Sequence, residues 1–246
     1  MTRRARIAIF VPALAVFAGL LCWAIAGLPD FGNYHGPYGF VLNRIAVPER
    51  HMTNVVTALV FDYRGFDTMG EEFILFAAVT GVVLLLRARG RDDGPDESSE
   101  GIVRNEAMRV VGSLAVGAAV LVGLWLIAFG FVTPGGGFQG GVAVAAGIVL
   151  VYLVSSYRAW SGIVDPRALE PLEGLGAATY VIVGLAALVS GVPFLSNVLG
   201  PGDVGTVWSG GSAAIVNWAV GLEVAAANLI LFREFLEEYV VPLETA

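Results

Sequence analysis

Six apolar stretches of near-bilayer length, at residues 7–28, 68–86, 110–132, 138–157, 174–192 and 213–232, punctuate this chain of 246 residues. A hydrocarbon core of about 30 Å is crossed by roughly 20 apolar residues in helix. Strands of a membrane barrel would instead show short alternating segments. The expected fold class is therefore all-α: a polytopic membrane protein with about six transmembrane helices. A hydrophobic share of 57% and a charged share of 14% agree with residence in lipid. The first stretch follows Arg3, Arg4 and Arg6. Its length, and the lack of a small-residue cleavage site before a soluble domain, make it a span and not a signal peptide.

All fourteen basic residues are arginines. With an even number of spans and both termini in the cytoplasm, only Arg44, Arg50 and Arg64 fall outside, an asymmetry that sets the expected orientation. The net charge of −7 argues against a nucleic-acid partner. Cys22 is the single cysteine, which excludes a disulfide framework and a thiolate metal site. His35 and His51 lack the spacing and companions of a metal site, so no metal or cofactor is expected.

The stretch 88–106 (ARGRDDGPDESSEGIVRNE) is dense in charge, Gly, Pro and Ser and has the composition of a linker. It divides the chain into an N-terminal two-helix module (1–90), a charged cytoplasmic linker (91–103) and a four-helix domain (104–246). Within the module, Asn54–Phe61 (NVVTALVF) is apolar but only about two turns long. It is expected to lie in the interface or to enter the membrane partway as a short interfacial or re-entrant helix. A helix is then expected from Thr68 to Leu86 with Glu71 and Glu72 in its first turns, where acids suit the positive end of the helix dipole.

Three groups of residues carry possible chemistry. Asp62, Arg64, Asp67, Glu71 and Glu72 fall within eleven residues beside apolar helix. Such density at a membrane boundary marks an ion path or a structural ion-pair cluster, with Arg64 as partner of Asp62 or Asp67. Glu71 and Glu72 point about 100° apart, so at most one faces a given cavity; Glu71, one turn after Asp67, is the expected one. Glu223 lies near the middle of the last apolar stretch, where a carboxylate costs about 2.5–3.5 kcal/mol on insertion scales. It serves either as a proton or cation relay or as a neutral acid hydrogen-bonding a neighbouring helix; Asn217 and Asn228 are off its face. Glu173 is expected at a helix N-terminus as a dipole partner. In TPGGGFQGG (Thr133–Gly141), Gly135, Gly137 and Gly140 fit G-x-G-x-x-G formally, but no strand precedes them, so a dinucleotide site is excluded. Pro134, Gly135, Gly136, Gly137, Gly140 and Gly141 are expected to form a tight turn that lets helices approach closely. No hydrolytic, haem or nucleotide motif survives its context, so no enzyme is expected.

At NVVTALVFDYRGFDTMGEE (Asn54–Glu72) and TPGGGFQGG, the chain resembles the Mrp-type multisubunit Na+/H+ antiporters. The part from about Val103 to Glu238 is similar to the MnhB-domain family of those complexes. The part from about Ile7 to Arg87 resembles the module at the C-terminal end of their large subunit, also found as a separate small subunit in membrane-bound hydrogenases. The resemblance implies a multi-pass protein of the bacterial cell membrane, in a hetero-oligomer with other antiporter subunits that exchanges sodium for protons. It would support assembly and line an ion path through Asp62, Asp67, Glu71, Glu72 and Glu223. Two alternatives stay open: a membrane-arm component of a redox-driven complex related to hydrogenases or complex I, and a purely structural scaffold.

Overall fold

The computed structural model describes residues 3–28, 32, 36–87, 103 and 105–240. The greater part of the charged stretch 88–106, and the tail from 241 onward, lie outside the described residues. The described residues are mainly helical, and six helices are long and apolar enough to cross a membrane. The chain divides into two compact units, residues 1–41 and 42–246.

In the first unit, α1 (Arg3–Ala26) is apolar on every face, carries Pro12 and exposes its large side chains along its length. A helix surrounded by lipid needs no polar face, because the bilayer solvates all sides alike.

The second unit begins within α2 (Pro37–Arg50), a helix the apolar stretches do not announce. Its sequence, PYGFVLNRIAVPER, mixes apolar and polar residues and carries an internal proline, so it lacks a continuous apolar run. A four-residue helix, α3 (Val55–Ala58), then runs into a π turn at Leu59–Tyr63. Asn54 starts it by accepting from the Val56 and Thr57 amides. Arg64 leaves helical geometry at φ −128° and ends it. Nine residues, about 14 Å of helix, cannot cross a bilayer.

The spans of this unit follow: α4 (Gly65–Arg87), α5 (Glu106–Phe129), α6 (Gly137–Val154), α8 (Pro166–Val189) and α9 (Ser212–Val240), with a short α7 (Tyr157–Ser161) between α6 and α8. α4 starts three residues earlier than the apolar stretch. α9 is the most enclosed span and packs on α4, α5, α6, α8 and the π turn. Small residues let it: a Cβ on Gly137 would run into the Asn217 backbone carbonyl, and one on Gly141 would stand 2.7 Å from the Gly221 carbonyl. In lipid, where apolar burial drives association weakly, such close backbone approach supplies the packing.

Candidate functional site: two sets of acids

One end of the 42–246 unit gathers the N-termini of α4, α6 and α9 with the loop 190–211. Asn54 holds it together. Its side-chain amide donates to the carbonyls of Gly130 (2.6 Å), Thr133 (3.0 Å) and Gly135 (3.3 Å), so the short helix is clasped to the TPGGGFQGG turn. Thr57 adds a bond to the Gly130 carbonyl at 2.7 Å. From the other side, His51 contacts the Gly202 carbonyl and Ser209 donates to the His51 carbonyl. Asn217 on α9 accepts from the Gly137 amide (2.7 Å) and donates to the Ile127 carbonyl (2.6 Å), satisfying one orphan donor at the start of α6.

At this end a cavity of about 610 Å³ opens between the π turn, the start of α4 and the 194–197 segment; it is lined by Arg50, Asp62, Arg64, Asp67, Phe194 and Asn197, among others. Both aspartates are paired. Arg50 Nε stands 2.7 Å from Asp62 Oδ1, and the Arg50 guanidinium lies 5.0 Å from the centre of the Tyr63 ring. Arg64 Nε donates to Asp67 Oδ2 at 2.6 Å across one helical turn. The partner of Asp62 is thus Arg50 of α2, and Arg64 serves Asp67 alone. Burial lifts the Asp62 carboxyl above the ordinary aspartate range; Arg50 opposes the rise and Glu49 adds to it. Tyr63 donates to Glu49 Oε2 at 3.1 Å, and burial together with that carboxylate pushes its phenol up to about 12.

A second set of acids lies inside the bundle. Glu72, Glu173 and Glu223 are 5%, 4% and 0% exposed, on α4, α8 and α9 respectively. Glu72 and Glu173 are the charged groups that act on Glu223 electrostatically. Glu72 Oε2, Glu173 Oε1 and both Glu223 oxygens have no hydrogen-bond partner among the protein's atoms. Tyr180, fully buried on α8, lies in the field of Glu72 and Glu223; its hydroxyl is near Thr68 without a bond of good geometry. The seam is close at this point. A Cβ on Gly176 would stand 2.5 Å from Glu223 Cβ and 2.9 Å from the Ala219 carbonyl.

The expected residues are therefore sorted. Glu71 is exposed on the outer face of α4, and its neighbour Glu72 is the one brought to Glu223. Glu173 is not at a helix N-terminus: Asp165 caps α8 at Pro166, so Glu173 sits two turns inside. The Asp165-Pro166 pair is a start signal readable from sequence. Neither asparagine serves Glu223, since Asn228 bonds the Val224 carbonyl of its own turn. No group of three or more His, Cys, Asp or Glu able to hold a metal ion occurs among the described residues.

The opposite end is closed by arginines. Arg233 pairs with Glu237 at 2.7 Å and donates to the Val164 carbonyl, while Arg109 donates to the Val154 carbonyl at 3.1 Å.

Residues 107–230 match the family described as a domain related to the MnhB subunit of Na+/H+ antiporter. A probable K+/H+ antiporter A/B subunit of Rhizobium meliloti is 30% identical over 167 residues, 59% of this chain and 16% of that much longer protein. Among solved structures, a chain of the membrane-bound sulfane sulfur reductase, an archaeal respiratory membrane complex, aligns over 95% of this chain and 99% of its own length, with TM-score 0.73 and 29% identity. A chain of the Mrp complex from Dietzia sp. DQ12-45-1b aligns over 95% of this chain and 26% of its own length, with TM-score 0.71 and 25% identity.

Proposed function

The chain belongs to the family of domains related to the MnhB subunit of Na+/H+ antiporters, and on that premise we propose that it is one membrane component of a multisubunit antiporter exchanging monovalent cations, sodium foremost, for protons. The observation that carries this is the alignment of nearly the whole chain, including the part before the linker, with a chain of an Mrp complex. The Rhizobium relative, itself of combined A/B type, supports reading residues 1–90 as a piece resembling the C-terminal end of the large antiporter subunit, fused to an MnhB-like domain over 104–246. Partners are then the other membrane subunits. The arginine asymmetry supports cytoplasmic termini in a bacterial cell membrane, which puts the 610 Å³ cavity at the outer face.

In this reading the chain is part of a transporter and not an enzyme. Asp62 and Asp67 draw cations to the outer cavity, Glu71 offers its carboxyl to a neighbouring polypeptide, and Glu72 and Glu223 line the path within the bundle. Mild-detergent extraction with identification of the co-purifying subunits tests the assembly, and sodium-dependent proton exchange in vesicles tests the activity. A Glu71→Gln change lowers exchange without loss of assembly; unchanged exchange in the intact complex removes Glu71 from the path.

A second reading is favoured by the likeness to the sulfane sulfur reductase chain, which is matched from end to end. There the same fold works in a redox-driven complex. Iron–sulfur or flavin proteins among the co-purifying subunits would decide for it, and membrane antiporter proteins alone would decide for exchange.

A further inference from the structure

Resting on the antiporter reading, we propose that Glu72, Tyr180, Glu223 and Glu173 form one proton relay along the α4–α8–α9 seam, completed only when the part of the chain before the linker docks its Glu72 onto the part after it.

Four observations converge. First, these three acids are buried and have no arginine partner among the described residues. Asp62, Asp67 and Glu237 are each ion-paired, whereas oxygens of Glu72, Glu173 and Glu223 are buried without a partner. Three like charges in an apolar seam repel one another and each carries a desolvation cost, so the seam is stable only with protons on it. Second, the acids sit at successive depths. Glu72 is seven residues from the start of α4, about 10 Å. Glu223 is eleven residues from the start of α9 at the same end, about 17 Å. Glu173 is seven residues, about 10 Å, from the start of α8 at the opposite end. Together they occupy successive levels along the α4–α8–α9 seam.

Third, the arrangement suits a proton better than a metal cation. A bare cation needs several oxygens converging on one point, and no such group of acids is present among the described residues. A proton needs one oxygen at a time. Fourth, Tyr180 brings a hydroxyl, donor and acceptor at once, fully buried and unbonded, in the field of both Glu72 and Glu223. Each hop breaks one O–H bond and forms another: a proton leaves a carboxyl and a hydroxyl or the next carboxylate takes it, with no other reactant.

The groups facing this row from each packed element are few. α4 carries Glu71, exposed on its outer face, besides Glu72; α8 carries Glu170 besides Glu173 and Tyr180; and in the π turn Asp62 is held by Arg50. On α6 the only titratable side chain is Tyr152, whose ring packs with Trp160 and Phe232. On α5, Glu106 and Arg109 lie at the far end, with Arg109 on the Val154 carbonyl.

The test uses the purified complex in liposomes, with Glu173→Gln, Tyr180→Phe and Glu223→Gln variants of wild-type subunit content. Infrared spectra should show carbonyl-stretch intensity of protonated carboxyls that shifts in deuterium oxide and loses one component in Glu223→Gln. Proton exchange should fall about a hundredfold in Glu173→Gln, the low end of what a positioned proton-transfer group contributes, less in Tyr180→Phe, and recover in Glu173→Asp. Unchanged exchange in Glu173→Gln, or carbonyl-stretch intensity that is unchanged in Glu223→Gln, overturns the relay. Should a variant fail to assemble, the wild-type band and Glu173→Asp decide. Carbonyl-stretch intensity present in wild type and diminished in Glu223→Gln, in a complex that exchanges no sodium, keeps the relay and defeats the antiporter reading.

Discussion

The acids at the loop-rich end and the acids within the bundle are the same chemistry in two settings. Asp62 and Asp67 border a cavity and each has an arginine within ion-pair reach. Glu72, Glu173 and Glu223 are enclosed by apolar helix and have none among the described residues. A paired acid at a boundary is a fastening, worth little when wet and more when dry. An unpaired acid in the interior is a standing cost that packing must offset, and it is tolerated where protons or cations are handled. The contrast shows what the cluster of four acids at 62–72 beside apolar helix does not reveal in the sequence: which acids have a counter-charge and which do not.

The sharpest way to break the contrast is Glu223→Gln. Exchange should drop about a hundredfold, or about 2.7 kcal/mol in barrier, with assembly kept; retained exchange would make the interior acids structural too. Arg50→Ala comes next. Asp62, its side chain only 10% exposed, is then left without its cation, which costs about 1–2 kcal/mol, less than a fully dry pair because Arg50 itself is 37% exposed. Unfolding of the complex in mild detergent measures it, and an Arg50→Ala/Asp62→Ala double variant should recover most of the loss.

Asp62→Asn gives a smaller effect with a defined sign. The folded carboxyl titrates above its ordinary value of 3.8, so the folded state holds its proton more tightly than the unfolded chain does. Its neutral form contributes stability below that value, and the wild type loses this contribution as pH rises from 3.8 through the raised value. The Asn variant should show a flatter stability–pH curve across that window; identical curves would mean that Arg50 cancels the burial. The smallest effect is expected from Asp67→Asn, about 0.2–0.5 kcal/mol, because both partners of that pair are about half exposed and lie one turn apart. A large loss there would show that the boundary acids do more than fasten.

Much of the architecture is legible in the sequence, because spans are set by length and apolarity and both are written in the chain. The six helices, and a short helix at 55–63 that cannot cross, follow from that alone. α2 does not, since its polar residues and Pro48 interrupt any apolar run. Which face of α4 turns inward is hidden for a different reason. In water, an apolar stripe would point to the core; in lipid, Phe66, Phe73 and Ile74 face outward as comfortably as Val79 faces inward. Choosing Glu72 over Glu71 therefore needs the neighbours of α4. Glu173 is misplaced for want of weighing Asp165-Pro166 against hydropathy: the apolar stretch begins at 174, but the helix begins eight residues earlier. The Arg50–Asp62 pair joins elements twelve residues apart and has no local signature.

The Asn54 amide, with its three carbonyls at 130, 133 and 135, joins segments that the charged stretch separates in sequence. Continuity of the polypeptide is thus not what keeps them in company. Genes encoding the halves separately, severed anywhere in 88–102, should yield two polypeptides that reunite in the membrane, whereas Asn54→Ala should weaken that reunion.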